Sequence, residues 1–134
     1  MEYLMDGKYL FKAKRLEDCN WKIGYLVKNQ EWAYIVKPLE NGGVEFETVD
    51  PNTICQCTGL KDRNGKLIWE NDIVNCLAEE CCGYIGRNEN EAGFYFNVLL
   101  EDGSFEEEHI YDYQDGIEVV GNIFDNPELL ESEG

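Results

Sequence analysis

Short apolar-rich runs recur along the whole chain, at 8–12, 22–28, 31–37, 44–49, 51–57, 67–68, 72–77, 83–85, 93–100, 104–113 and 117–124, each bounded by Gly, Asn, Asp or Pro. Runs this short are strand-sized, and no apolar helical spacing is sustained long enough to compete with them. Between several of them stand Asn41-Gly42-Gly43, Asn64-Gly65, Asp102-Gly103 and Asp115-Gly116, which supply the positive φ that tight hairpin connections demand. The expectation is a mostly β fold, a β-rich α+β at most. Its only helical candidates are 75–82 and, after Pro127, 128–131. Hydrophobic residues at 43%, with 3 Trp, 8 Tyr and 6 Phe, provide the apolar area for a packed core. The economical organisation is one unit over 1–134; if it divides, the lobes are a 1–50 meander and a 51–130 remainder, with 131–134 as a fraying polar end.

Charge is distributed very unevenly. Every Lys and Arg lies at or before Arg87, so 1–87 is nearly balanced at net −3, whereas 88–134 holds 14 acidic and no basic residues. The chain total is −17, which opposes direct binding to nucleic-acid phosphate. An acidic tail is ordinarily disordered, but here the carboxylates are interleaved with strand-forming residues. Phe94–Leu100 and Phe105–Tyr111 flank the Asp102-Gly103 turn signal, which predicts a hairpin. Strict alternation would place Glu106, Glu108 and Asp112 on a polar face at about 6–7 Å spacing, with the apolar set inside. Glu101, Asp102, Glu106, Glu107, Glu108, Asp112 and Asp115 are therefore the candidate partner-binding residues, offered to a positively charged protein.

Chemistry-bearing constellations are weak. Six Cys stand at 19, 55, 57, 76, 81 and 82. Cys55 and Cys57 with Cys76, Cys81 and Cys82 could supply thiolates, but the spacing is poor for structural zinc, so no metal is expected. His109 is the sole histidine and follows three glutamates, which reads as a surface residue rather than a catalytic base. There is no EF-hand spacing, no phosphate-binding Gly-Lys loop and no dinucleotide fingerprint, and the expectation is no enzyme activity and no cofactor. No run approaches the ~18 apolar residues of a membrane span and no secretory signal opens the chain, so a soluble cytoplasmic protein is expected.

The stretch 49–74 holds Thr58-Gly59-Leu60-Lys61-Asp62-Arg63-Asn64-Gly65-Lys66 and Trp69-Glu70-Asn71-Asp72-Ile73-Val74. It resembles the central signature of the YopX family of phage and prophage proteins. The closing Ile117-Glu118-Val119-Val120-Gly121-Asn122-Ile123-Phe124-Asp125-Asn126-Pro127-Glu128-Leu129-Leu130 is similar to that family's C-terminal stretch, and Leu10–Arg15 with Trp21–Leu26 to its N-terminal meander. The sequence departs from the pattern where Asn71 and Cys55 replace Gly and where Cys57 replaces an aromatic. The resemblance implies an N-terminal antiparallel meander plus a small SH3-like barrel, with no established catalysis, and a place in the host bacterial cytoplasm.

Within the motif, Asp62 to Lys66 has the composition of a turn around Asn64-Gly65, and Asp72 is placed to cap the turn before its strand. Gly59, Asp62, Asn64, Gly65, Asp72, Gly121 and Pro127 thus read as fold-holding residues rather than a binding loop. Two functions remain. One is a DNA-mimic inhibitor whose acidic β surface occupies the basic groove of a host nuclease, restriction, CRISPR or transcription protein. The other is a self-assembling β module, with a surface built from Trp21, Trp32, Trp69 and the Tyr-rich strands, whose acidity serves only solubility.

Overall fold

Eleven strands form among the described residues, which are 9–76, 78, 80–87, 93–110 and 116–131 of a computed structural model. They are β1 (Phe11–Lys14), β2 (Trp21–Lys28), β3 (Ala33–Pro38), β4 (Val44–Val49), β5 (Cys55–Lys61), β6 (Leu67–Trp69), β7 (Asp72–Cys76), β8 (Cys81–Arg87), β9 (Phe94–Leu99), β10 (Phe105–His109) and β11 (Ile117–Asn122). All registered pairings are antiparallel, as expected of strands joined by tight turns. The mostly β expectation holds.

Three local expectations are corrected. The 75–82 segment is not a helix: β7 ends at Cys76, β8 begins at Cys81 opposite it, and Glu80 takes a positive φ of 52°. Pro51–Thr53 is a 3₁₀ turn rather than the start of a strand, because Asp50 accepts the Asn52 amide and Pro51 occupies the first turn. Pro127–Leu130 is likewise 3₁₀. The chain divides into two compact units between Cys57 and Thr58, later than Pro51.

In the first unit, β1 to β4 form a meander with the order β4-β3-β2-β1, and the first residues of β5 bond to β1. The ends of β1 and β4 are also laced together. Arg15 bridges Val49, the Leu16 amide donates to the Thr48 carbonyl at 3.1 Å, and the Asp50 amide donates to the Lys14 carbonyl at 2.8 Å. Its core is small: Ala13, Ala33, Ile35 and Val49, backed by Phe11, Leu26 and Ile54.

That core forces β2 to invert its own pattern. Residues directly opposite on antiparallel strands share a side, and the register sets Gly24 against Phe11, Lys22 against Ala13 and Leu26 against Ile35. Lys22, Gly24 and Leu26 therefore lie on the core side, while Trp21, Ile23, Tyr25 and Val27 point outward. Only Gly24 fits its site, since a β-carbon there would lie 2.6 Å from the Val36 carbonyl oxygen and 2.8 Å from Ile35 Cγ2. β4 is inverted in the same way. Val49 and Glu47 lie opposite the buried Ala33 and Ile35, and Glu45 opposite Lys37, leaving Val44 and Phe46 exposed.

The second unit is a five-stranded sheet ordered β10-β9-β8-β7-β11. One of its faces carries Val74, Cys76, Ile85, Phe96 and Ile117, which close a core with Ile68 and Ile110. The strands at the two ends of that order are β10 and β11, and β10 is the acidic one.

Candidate functional site

The acidic hairpin forms because its turn is built from its own residues. Gly103 adopts φ 87°, its amide donates to the Leu100 carbonyl at 3.0 Å, and the Leu100 amide donates to the Ser104 carbonyl at 2.8 Å. Asp102 Oδ1 accepts the Ser104 hydroxyl and, at 2.9 Å, the Ser104 amide. These two bonds, the hydroxyl first, hold the Asp102 carboxyl below the ordinary carboxylate range. Glu101 and Asp102 are both exposed at this tip.

The faces of β10 differ from strict expectation. Glu106 lies opposite Val98 and Glu108 opposite Phe96, so both carboxylates are on the side of the sheet that carries the core. The apolar set is not on the far side from them. Glu106 is exposed and Glu108 half-buried on β10, the last strand of the sheet order. Glu107 takes the other side with Phe105 and His109. There Phe105 meets the Tyr84 ring edge-on at 5.1 Å, and His109 lies 5.4 Å from the Tyr95 ring. The result is an anionic sheet edge rather than an anionic plate. Asp112 and Asp115 lie outside the described residues.

The central motif is a clamp on the same sheet. Asp62 is buried, and its Oδ1 accepts the amides of Asn64 and Lys66, each at 2.9 Å. Its Oδ2 accepts the Val119 amide of β11 at 3.0 Å. Burial alone would raise its pKa, but the three amides and the Lys66 ammonium outweigh it and keep the carboxyl below its usual value. The Arg63 amide reaches the Ile117 carbonyl at 3.0 Å, and Asn64 Nδ2 reaches Glu118 Oε1 at 3.1 Å. Gly59 and Gly65 take φ 80° and 81°.

The next turn is held by Asp72, whose buried Oδ2 accepts the Trp69 amide at 2.8 Å. Asn71, where the resembled pattern has Gly, sits at φ 71°, the left-handed conformation that Asn tolerates better than most residues. Gly121 leaves room for the Asn126 side chain, whose Oδ1 accepts the Asn122 amide at 3.2 Å, and Pro127 opens the last 3₁₀ turn. Asp62, Asn64, Asp72 and Asn126 thus close turns or tie them to strands through the bonds above.

Cys55, Cys57 and Cys76 are buried, Cys81 and Cys82 half-buried, and Cys19 exposed. Among the described residues no cluster of three or more His, Cys, Asp or Glu side chains is arranged to hold a metal ion. No helix among them is long and apolar enough to cross a membrane. The feature that alternation arguments missed is the outward face of β2, β3 and β4. It carries Trp21, Ile23, Tyr25, Val27, Tyr34, Val36, Pro38, Val44, Phe46 and Thr48, none of them charged, and it is bordered on β1 by Lys12 and Lys14, which lie 4.7 and 5.5 Å from the Trp21 ring. The inverted register of β2, not composition, puts it there.

Comparison with known proteins gives one family. The model of the YopX family, described as YopX protein, matches residues 3–131. No curated protein matches. Among solved structures, the chain is similar to protein EF1440 from Enterococcus faecalis, at 26% sequence identity over 90% of this chain and 96% of that one, with a TM-score of 0.46.

Proposed function

This chain belongs to the YopX family, and we propose that it is a non-enzymatic, phage-encoded interaction protein whose anionic edge binds a basic, nucleic-acid-binding host protein in the manner of a DNA mimic. The observation that carries the reading is β10. Three consecutive glutamates lie on the terminal strand of an ordered sheet, beside a turn whose Asp102 is already fixed by Ser104. Carboxylates mounted on a strand have only side-chain freedom left to lose on binding, whereas a floppy tail also pays for ordering its backbone. Glu106 and Glu108 share one side at about 6–7 Å, with Glu107 on the other. A basic groove closing around the edge would therefore meet negative charge on both walls. No Lys or Arg follows Arg87 in the sequence, so that segment is acidic without local compensation along the chain.

The test is affinity capture from host lysate by the full chain at about 50 and about 500 mM salt, because screening weakens exposed charge pairs beyond roughly a Debye length. A basic protein retained at low salt, released at high salt, and lost when Glu106, Glu107 and Glu108 are all changed to Gln supports the reading. Capture indifferent to salt and to that triple change refutes it.

A further inference from the structure

We propose that the uncharged outward face of β2, β3 and β4 is a self-association surface, joining two copies of this chain face to face about a two-fold axis. The face is made by inversion. β2 and β4 turn Lys22, Glu45 and Glu47 toward the side of Ala33 and Ile35 and expose Ile23 at 46%, Tyr25 at 36%, Val27 at 46%, Val44 at 50% and Phe46 at 60%. Strands that face water on one side ordinarily do the reverse, apolar in and polar out. A chain that is 29% charged leaves ten neighbouring outward positions without one charge. The aromatic side chains are already organised there: Trp32 lies 4.7 Å from Tyr34, and Tyr34 meets Phe46 edge-on at 6.3 Å.

Three observations select a second copy as the occupant. The first concerns area. Aromatic side chains span roughly 150–250 Å² each and Ile and Val less, so at these exposures the face with its half-buried neighbours offers several hundred Å², near the low end, roughly 600 Å² per partner, of specific interfaces. The second concerns charge. Residues 1–57 carry 7 basic and 9 acidic side chains, net −2, while 58–134 carry 4 and 19, net −15. The unit that bears the face is thus nearly neutral and does not repel its copy as strongly as the chain total suggests. The third is symmetry. An isologous interface must be complementary to itself, and the β3–β4 part of the face, away from Lys12 and Lys14 beside Trp21, meets this condition without pairing like charges. It offers a basic partner nothing, since no carboxylate lies on it.

The inference is independent of the proposed partner binding, and salt separates them: apolar association persists where screened charge contacts fail. The experiment is sedimentation equilibrium of the full chain at about 500 mM salt, from micromolar to about 100 µM. The expected result is a species of twice the 15.5 kDa chain mass. Phe46→Lys should weaken its dimerisation constant at least about tenfold while leaving thermal unfolding of the monomer nearly unchanged. Val44→Lys, at a second half-open position, should do the same and stands in if Phe46→Lys fails to fold. A monomer throughout, or a dimer indifferent to both changes, overturns the proposal, as does a face that becomes protected only when another protein or a nucleic acid is added.

Discussion

Asp62 Oδ2 accepts the main-chain amide of Val119 at 3.0 Å, so a turn residue is tied to a strand 57 positions further on. The other carboxylate oxygen holds the Asn64 and Lys66 amides of its own turn. One buried side chain thereby closes the 62–66 turn and anchors β11, the strand at the opposite end of the sheet order from β10. Asp62→Ala should destabilise the protein by about 3 kcal/mol in denaturant unfolding, because charged hydrogen bonds are lost and amides are left without partners. Asp62→Asn, which keeps one carbonyl oxygen, should cost roughly half of that.

The same residue sets a pH dependence. Its folded pKa lies below the ordinary 3.8, so its contribution is fully present above that value and is lost as pH falls through the lowered folded pKa. The stability gap between native protein and Asp62→Asn should be flat from about pH 5 to 8 and narrow below about pH 4. A gap that widened on acidification would contradict the assignment.

Asn71 tests the second turn. At φ 71°, Asn71→Gly relieves left-handed strain and should be neutral or stabilising by up to about 1 kcal/mol. Asn71→Val should be destabilising by about 1–2 kcal/mol, since a β-branched side chain resists that conformation. Thermal unfolding of the two variants should bracket the native protein.

Gly24→Ala tests the close approach of β2 to β3 in the first unit. With the Val36 carbonyl oxygen 2.6 Å from the new β-carbon, the backbone must shift, at a cost of about 1–3 kcal/mol. The loss of protection on hydrogen exchange should appear first in β2 and β3.

Asp102→Ala removes the acceptor for both Ser104 groups. Amides of β10 should then exchange faster than in the native protein while those of β7 and β8 stay protected, because the hairpin tip loses its local closure and the central strands do not.

Much of the fold could be read in the sequence. The turn at Asp102-Gly103 and the strand at Val44–Val49 stand where local chemistry puts them, because positive φ and alternating side chains are properties of a few adjacent residues. The 75–82 segment misled for the opposite reason: its short stretch carries no turn signal of Gly, Pro or Asn-Gly, and only the pairing of Cys76 with Cys81 shows that β7 and β8 are antiparallel neighbours there. Faces were the harder matter. Phe105-Glu106-Glu107-Glu108-His109 does not alternate, so its orientation is fixed by Phe96 on the neighbouring strand, which must face the core. β2 does alternate, and its register with Phe11 and Ala13 overrides that signal. The reach of Asp62 to Val119 is a tertiary fact that no local pattern carries.

The most direct test of the central claim is competition. A basic nucleic-acid-binding protein captured by this chain is loaded with a labelled duplex at about 50 mM salt, where charge contacts are least screened, and titrated with the full chain. The account predicts one-for-one displacement of the duplex, weakened at least about tenfold by the combined Glu106→Gln, Glu107→Gln and Glu108→Gln change. Simultaneous binding of duplex and chain, or displacement that survives that change, would contradict it.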